Sequence, residues 1–428
     1  MLSIIRSGLY IILTSGFRLV GSFVVTKILA IYTGVSGVGI SGQAISFTSL
    51  MLLISGGGVH AGLTKFYAQY KNEPSKQLEY MQVASIIAIF VSVVIAFVSV
   101  FFQKSISVQI FGDDSYREII VLIAVLQMFF IGFNFQSAII NANRQVRLSF
   151  YLTAITIILG FALSQYALSF NEIIISALSI QILGAFIYSS YFLLKLLGRI
   201  RVLGFIIFRL KRIFFIERSR ELLQYSLMFF VAAITVPVFN VVLRSQLQLQ
   251  YDWSILGFWI SATRISEGFF QVFSAGLSGY YYTKIVEAKS KNDVYRLVRK
   301  IVKITIPIYL AVIIAAVIFQ DTLVSIFFSN DFLRTKEFLS WQLLGDLLKY
   351  SSQIFGFIYL AQGRVRIFVL AEIVQVALLS IITVSSIQLF GLQGVSVGYA
   401  FSNFLFLIFN GGYFYYWIQN KSADTYLG

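Results

Sequence analysis

The chain has 428 residues, 58% of them hydrophobic and only 12% charged, with a mean hydropathy of +0.84. Soluble domains carry about 25% charged residues, so a soluble fold is excluded and an all-α integral membrane protein is expected. The absence of cysteine and the single histidine, His60, exclude disulfides, thiolate chemistry and a multi-histidine metal site, and no cofactor is expected.

About 20 apolar residues cross a hydrocarbon core ~30 Å thick. Twelve such runs are predicted, at 4–32, 37–64, 80–102, 118–140, 148–168, 173–197, 221–246, 255–283, 301–320, 338–361, 367–387 and 394–419. The first opens MLSIIRSGLY, is longer than a signal-peptide core and has no small-residue cleavage site, so it is expected to be a retained anchor. Between the sixth and seventh runs, GRIRVLGFIIFRLKRIFFIERSR mixes Arg and Lys with aromatic and aliphatic residues. It reads either as an amphipathic linker along the headgroups or as a solvated basic loop. Three parts follow: a six-helix lobe over 1–200, a basic cytoplasmic linker over 201–220, and a second six-helix lobe over 221–428.

The net charge of +15 lies in short loops, which suits a membrane orientation signal; no nucleic-acid partner is expected, and membrane lipids are. Of 33 Lys and Arg, 24 fall on the side that holds the N-terminus and four (Lys104, Arg117, Arg334 and Lys336) on the other. The remaining five, Arg18, Lys27, Arg244, Arg264 and Lys349, lie within or at the ends of the runs. That bias predicts two cytoplasmic termini.

Sliding the sequence by about 218 residues brings Gly39 onto Gly257 and Gly58 onto Gly276. One residue further, Lys65 meets Lys284, and Ala142, Val146 and Arg147 meet Ala361, Val365 and Arg366. Six is an even number of crossings, so the two halves should be parallel lobes, an arrangement that places a substrate site near the midplane.

Three runs carry polar stripes at helical spacing. The eighth has Ser261, Arg264, Glu267, Gln271, Ser274 and Ser278; the tenth has Gln342, Asp346, Lys349, Gln353 and Gly356; the first has Thr14, Arg18, Ser22 and Thr26. A charge at the bilayer centre costs ~2.5–3.5 kcal/mol even by insertion scales, so the stripes are expected to face one another around a wet cavity. The candidate substrate-binding residues are Arg18, Arg264, Glu267, Gln271, Gln342, Asp346 and Lys349. The opposite charges at Arg264/Glu267 and Asp346/Lys349 are spaced i,i+3, so each pair could equally be a same-helix ion pair. Lys27, Arg244 and Glu372 are secondary candidates; Lys27 and Arg244 lie near span ends, where snorkelling to the headgroups is expected. His60 is expected at the interface.

Cations outnumber acids among the deep charges, which favours an anionic cargo, and Arg grips phosphate with two hydrogen bonds. Ser, Thr and Gln suit hydroxyl-rich sugar. A flippase for a phosphate-linked glycolipid is the function these residues suggest.

The segments GVSGVGISGQ, AGLTKFYAQY, QYDWSILGFW and FLSWQLLGDLLKYSSQIFGFIYLAQGRVRIFVLAE resemble Wzx-type flippases of lipid-linked oligosaccharides. That group includes the O-antigen and enterobacterial common antigen translocases. The resemblance implies the twelve-helix, two-lobed fold of the multidrug/oligosaccharidyl-lipid/polysaccharide (MOP) exporter superfamily, similar to the MATE transporters. It also implies export of an undecaprenyl-diphosphate-linked repeat unit across a bacterial inner membrane by alternating access. A polysaccharide polymerase and a chain-length regulator are the further partners it suggests. Glu267, Asp346, Lys349 and Glu372 match charged positions of the family pattern, whereas Arg264 stands where the pattern has a small polar residue. The alternatives are an ion-coupled multidrug exporter of the same superfamily, a membrane-embedded glycan polymerase or transferase, and a non-transporting partner in an assembly complex. No loop exceeds a couple of dozen residues, which disfavours the enzyme.

Overall fold

The computed structural model describes residues 2–197, 212–277, 281–288, 290–362 and 364–419. Most of the expected 201–220 linker therefore lies outside the described residues, as do Ser278 and the C-terminal residues beyond 419. All regular structure among the described residues is helical, which satisfies each backbone hydrogen bond within its own segment where hydrocarbon supplies none.

The helices are α1 (Leu2–Ile54), α2 (His60–Gln69), α3 (Pro74–Phe101), α4 (Gln103–Phe111), α5 (Arg117–Ala142), α6 (Val146–Ser169), α7 (Ile173–Leu197) and α8 (Arg212–Gln248). They continue with α9 (Trp253–Gly276), α10 (Tyr282–Glu287), α11 (Lys291–Ile318), α12 (Gln320–Phe327), α13 (Lys336–Ala361), α14 (Val365–Phe390) and α15 (Gly394–Gln419). Among the described residues, seven stretches are long and apolar enough to cross a membrane. Two of these, Leu13–Gly58 and Arg366–Gln419, run to 46 and 54 residues and contain a break at Gly34 and a turn at Gly391. The chain is a multi-pass membrane protein. The long helices outside that set, α8, α9 and α13, are those bearing Arg244, the Arg264/Glu267 stripe and the Asp346/Lys349 stripe.

The internal repeat is visible in the helix boundaries. α3 starts at Pro74 and α11 at Lys291, 217 residues on, and both end in a short helix and a 3-10 turn before the next long helix. The helix pairs α5/α13, α6/α14 and α7/α15 keep nearly the same offset. The chain folds into two compact units, 1–253 and 254–428. The unit boundary falls after α8, so α8, expected to open the second lobe, packs with the first unit.

Within the first unit, a core of Ala44, Phe47, Ile120, Ile123, Phe130, Leu178 and Ile182 joins α1, α5 and α7, and Val241 of α8 completes it. α8 is fastened along its length. Arg244 Nη1 donates to the Gly42 carbonyl at 3.2 Å and to Ser46 Oγ at 2.5 Å, while Gln43 Nε2 donates back to the Val241 carbonyl and to Ser245 Oγ at 3.0 Å. Towards the other end, Arg218 pairs with Glu79 at 3.3 Å and Tyr80 donates to Glu221.

The continuous run expected over 37–64 is broken. Ser55–Gly58 forms a 3-10 turn in which Gly56, Gly57 and Gly58 all take φ between 63° and 72°. The open backbone is met by neighbours: the Gly56 N–H donates to Ser92 Oγ at 3.0 Å, and Asn134 Nδ2 donates to the Leu52 carbonyl at 3.0 Å.

In the second unit, Phe273 of α9 stacks on Tyr309 of α11 at 4.1 Å, and Tyr309 meets the edge of Tyr350 of α13. α15 packs closely on both α13 and α14. Its approach to α14 needs Gly394 and Gly398: a Cβ at Gly394 would stand 2.1 Å from the Ser386 carbonyl oxygen, and one at Gly398 2.7 Å from Thr383 Cα. Small residues spaced this way let membrane helices approach when no hydrophobic effect drives them together.

Gly34 holds the break in α1 with φ 64° and ψ −165°, a region open essentially to glycine alone. Gly34→Ala should therefore cost roughly 1–3 kcal/mol. Gly394→Ala should cost a similar ~1–3 kcal/mol through a backbone clash. Gly16, helical and with nothing within 4 Å of its Cβ position, should accept Ala with no loss. Thermal unfolding of the detergent-solubilised chain would rank the three; equal midpoints would contradict the reading.

Candidate functional site

The polar groups of the second unit begin with α13. Gln342 and Asp346 are buried, Asp346 to 1% exposure, and neither points into open space. Tyr399 of α15 donates to Asp346 Oδ1 at 2.5 Å, and Ser266 of α9 donates to Oδ2. Ser396 donates to Gln342 Oε1 at 3.4 Å, and Asn410 Nδ2 to Ser352 Oγ at 2.7 Å. The contacts 342–396, 346–399 and 352–410 advance together along both helices, so α13 and α15 run parallel as a polar zipper. Tyr359 Oη extends it by donating to Asn410 at 3.2 Å.

Beside the zipper the stripe is more open. Lys349 is half-buried with its Nζ 4.6 Å from the Phe270 ring, where the π face attracts the ammonium. Arg264 is half-buried, and Glu267 and Gln271 are exposed on α9. The alternative of a same-helix bridge is not taken up by Asp346 and Lys349: Asp346 is held by hydroxyls and Lys349 lies over a ring. The Glu267 carboxylate is exposed. The charges nonetheless form one electrostatic chain. Glu267 acts on both Arg264 and Asp346, and Lys349 acts on Asp346 and on half-buried Glu372 of α14.

In the first unit, Arg18 lies at an open face of α1. Its Nη2 donates to Thr153 Oγ1 at 3.4 Å, and Thr153 is 3.1 Å from Tyr188 Oη. These three line a cavity of about 120 Å³ with Thr156 and Gln181, whose amide donates to Ser49 at 2.8 Å. Lys27 is half-buried on the same arm. Arg244, expected to reach for the headgroups, is instead 6% exposed and spent on α1. No group of acidic and histidine side chains fit to hold a metal occurs among the described residues.

Sequence reasoning did not single out Ser266, Tyr399, Thr153 or Tyr188. Tyr399 had a usable signal: Ser396, Tyr399, Asn403 and Asn410 recur at helical steps on one face of α15. Ser266 had none, because it stands off the α9 stripe and is recognisable only by what it touches.

No protein-family model matches the chain. The lipid III flippase of Escherichia coli (strain K12) is 25% identical over 427 residues, covering 97% of this chain and 99% of the relative. The lipid III flippase of Shigella flexneri is similar to the same extent. Among solved structures, an inward-facing multidrug resistance MATE family transporter of the MOP superfamily aligns with a TM-score of 0.73 at 14% identity, covering 94% of this chain and 98% of that one. The lipid II flippase MurJ in an inward closed conformation aligns with a TM-score of 0.73 at 15% identity, covering 97% of this chain and 88% of that one. The chain has the fold of these transporters, and its relatives point to a transporter rather than an enzyme.

Asp346→Ala removes the acceptor for two buried hydroxyls and should cost roughly 2–3 kcal/mol, Tyr399→Phe about 1–2 kcal/mol. Asp346→Asn, which keeps an acceptor, should fall between Asp346→Ala and wild type. Unfolding midpoints in detergent give the order; an Asp346→Ala variant as stable as wild type would overturn the zipper's structural role.

Proposed function

We propose that the chain is a flippase that carries an undecaprenyl-diphosphate-linked oligosaccharide, an O-antigen or enterobacterial common antigen repeat unit, from the cytoplasmic to the periplasmic leaflet of a bacterial inner membrane. The observation that carries the reading is the full-length similarity to the lipid III flippases. It is supported by cations at membrane depth in both units, where a diphosphate would otherwise cross hydrocarbon without a partner.

In this reading twelve spans form two parallel six-helix lobes, with both termini cytoplasmic and the second repeat beginning at 221 although α8 packs with the first unit. Arg18, Arg264 and Lys349 bind the diphosphate; Glu267, Gln271 and the hydroxyls around them bind the glycan. Gln342 and Asp346 act by positioning α13, and Glu372 is the acidic partner on α14 whose charge acts on Lys349. Transport proceeds by alternating access, and an inside-negative potential favours exit of the anion by ~2.3 kcal/mol per charge per 100 mV. The likeness to a MATE transporter supports a second reading, an ion-coupled multidrug exporter. Export that needs a Na⁺ or H⁺ gradient and confers drug resistance would favour it.

The test is complementation of a flippase-null strain, scored by glycan reaching the periplasm. Arg18→Ala and Lys349→Ala should each lower delivery at least tenfold at normal protein levels, with Arg18→Lys partly active. Normal delivery by both alanine variants would sink the assignment. Exchanging the charges, Arg264→Glu with Glu267→Arg, should fail to restore activity, because the two do not act only on each other. Full rescue would make them a staple.

A further inference from the structure

α11 divides along its length into two kinds of surface. Its buried line is Val294, Val298, Tyr309 and Ala316. On the opposite face, Ile304, Ile308, Leu310, Ile314 and Ile318 are between 42% and 69% exposed. Isoleucines standing out from a membrane helix face lipid tails. Towards the N-terminus of the helix the exposed face changes to Arg296, Arg299, Lys300 and Lys303, all exposed and all within two turns. These four cations thus lie in line with the lipid-facing stripe, at the depth where tails give way to headgroups.

Their second peculiarity is that four cations cluster here with no acidic partner among the described residues. Four exposed cations elsewhere are paired: Lys76 with Glu73 at 2.7 Å, Lys104 with Asp114 at 3.6 Å, Arg334 with Glu337 at 3.2 Å and Lys336 with Asp321 at 3.2 Å. Others, such as Arg117 and Arg144, stand singly and do not form a cluster on one helix. Among the described residues no acidic side chain forms an ion pair with any of the α11 four. The acidic residue of the first turn, Asp293, is spent on the Ser290 cap. The equivalent start of the first repeat, α3, carries Lys76 and Glu79 and no such stripe, so the repeat architecture does not require it.

We propose that Arg296, Arg299, Lys300 and Lys303 form a docking surface for the phosphate headgroups of anionic phospholipids in the leaflet at this end of α11. Four unpaired cations on a convex helix face, without walls, suit a charged lipid surface: each adds attraction within a Debye length, and none needs a fixed partner. The surface anchors this end of α11. The proposal rests on the multi-pass fold alone and is independent of which cargo is carried.

Native mass spectrometry of the full-length protein in nonionic detergent, titrated with phosphatidylglycerol or phosphatidylcholine, tests it. Wild type should retain phosphatidylglycerol in preference, and Arg296→Gln, Arg299→Gln, Lys300→Gln and Lys303→Gln together should weaken that retention by about tenfold or more. Phosphatidylcholine should be unaffected. Removing the paired cations Lys104, Arg334 and Lys336 should leave the preference intact, as should Arg296→Lys with Arg299→Lys. Single neutralisations in monodisperse protein should give graded losses, which keeps the test open if the quadruple variant fails to fold. The proposal is overturned if wild type shows no preference or if single and quadruple neutralisations leave it unchanged. It also fails if Arg→Lys abolishes it, which would mean a shaped phosphate pocket, or if millimolar pyrophosphate displaces the lipid completely, which would mean a site for free anions.

Discussion

Hydrocarbon offers no hydrogen bonds, so every buried charge or open peptide group in this protein has to find its partner within the chain. That constraint accounts for the irregular features of the structure. The glycine turn at 55–58 is closed by Ser92 and Asn134; the Asp346 carboxylate takes hydroxyls from Ser266 and Tyr399; Arg244 is absorbed by a carbonyl and a serine of α1. Each partner is distant in sequence, so the polar groups knit helices together where apolar contacts between membrane helices give little drive.

The same constraint separates charges that hold the fold from charges left to act. Asp346 and Gln342 are committed to α15, and Arg244 to α1. Arg18, Arg264, Glu267 and Lys349 keep part of their surface open, and the proposed cargo contacts fall on these. A polar stripe on a membrane helix therefore carries two kinds of residue: buried ones that fix the neighbouring helix and part-open ones on which the proposed cargo contacts fall. On α13 the two kinds are interleaved: half-buried Lys349 stands between Asp346 and Ser352, which both bond to α15.

Repeat and packing unit do not coincide. Helix boundaries recur at about 217–222 residues, and α8, whose Arg244, Ser245, Ser226 and Arg218 all bond to helices α1 to α3, belongs to the first unit.

How much of this was legible beforehand depended on the kind of interaction. Apolar runs and their helical spacing are local, so the helices and the membrane class could be read from the sequence with no structure. The stripe on α13 was legible as a stripe, but not which of its residues α15 would consume, because a hydrogen bond between residues 346 and 399 leaves no trace in either stretch alone. The run 37–64 reads as one span because glycine is tolerated in membrane helices; only the left-handed φ of three successive glycines, stabilised by Ser92 across the interface with α3, breaks it. The sequence by itself determined what had to be buried in lipid and where charge would be costly. The tertiary structure alone decided how each charge is satisfied, because that depends on which helices meet and on the angle at which their side chains face.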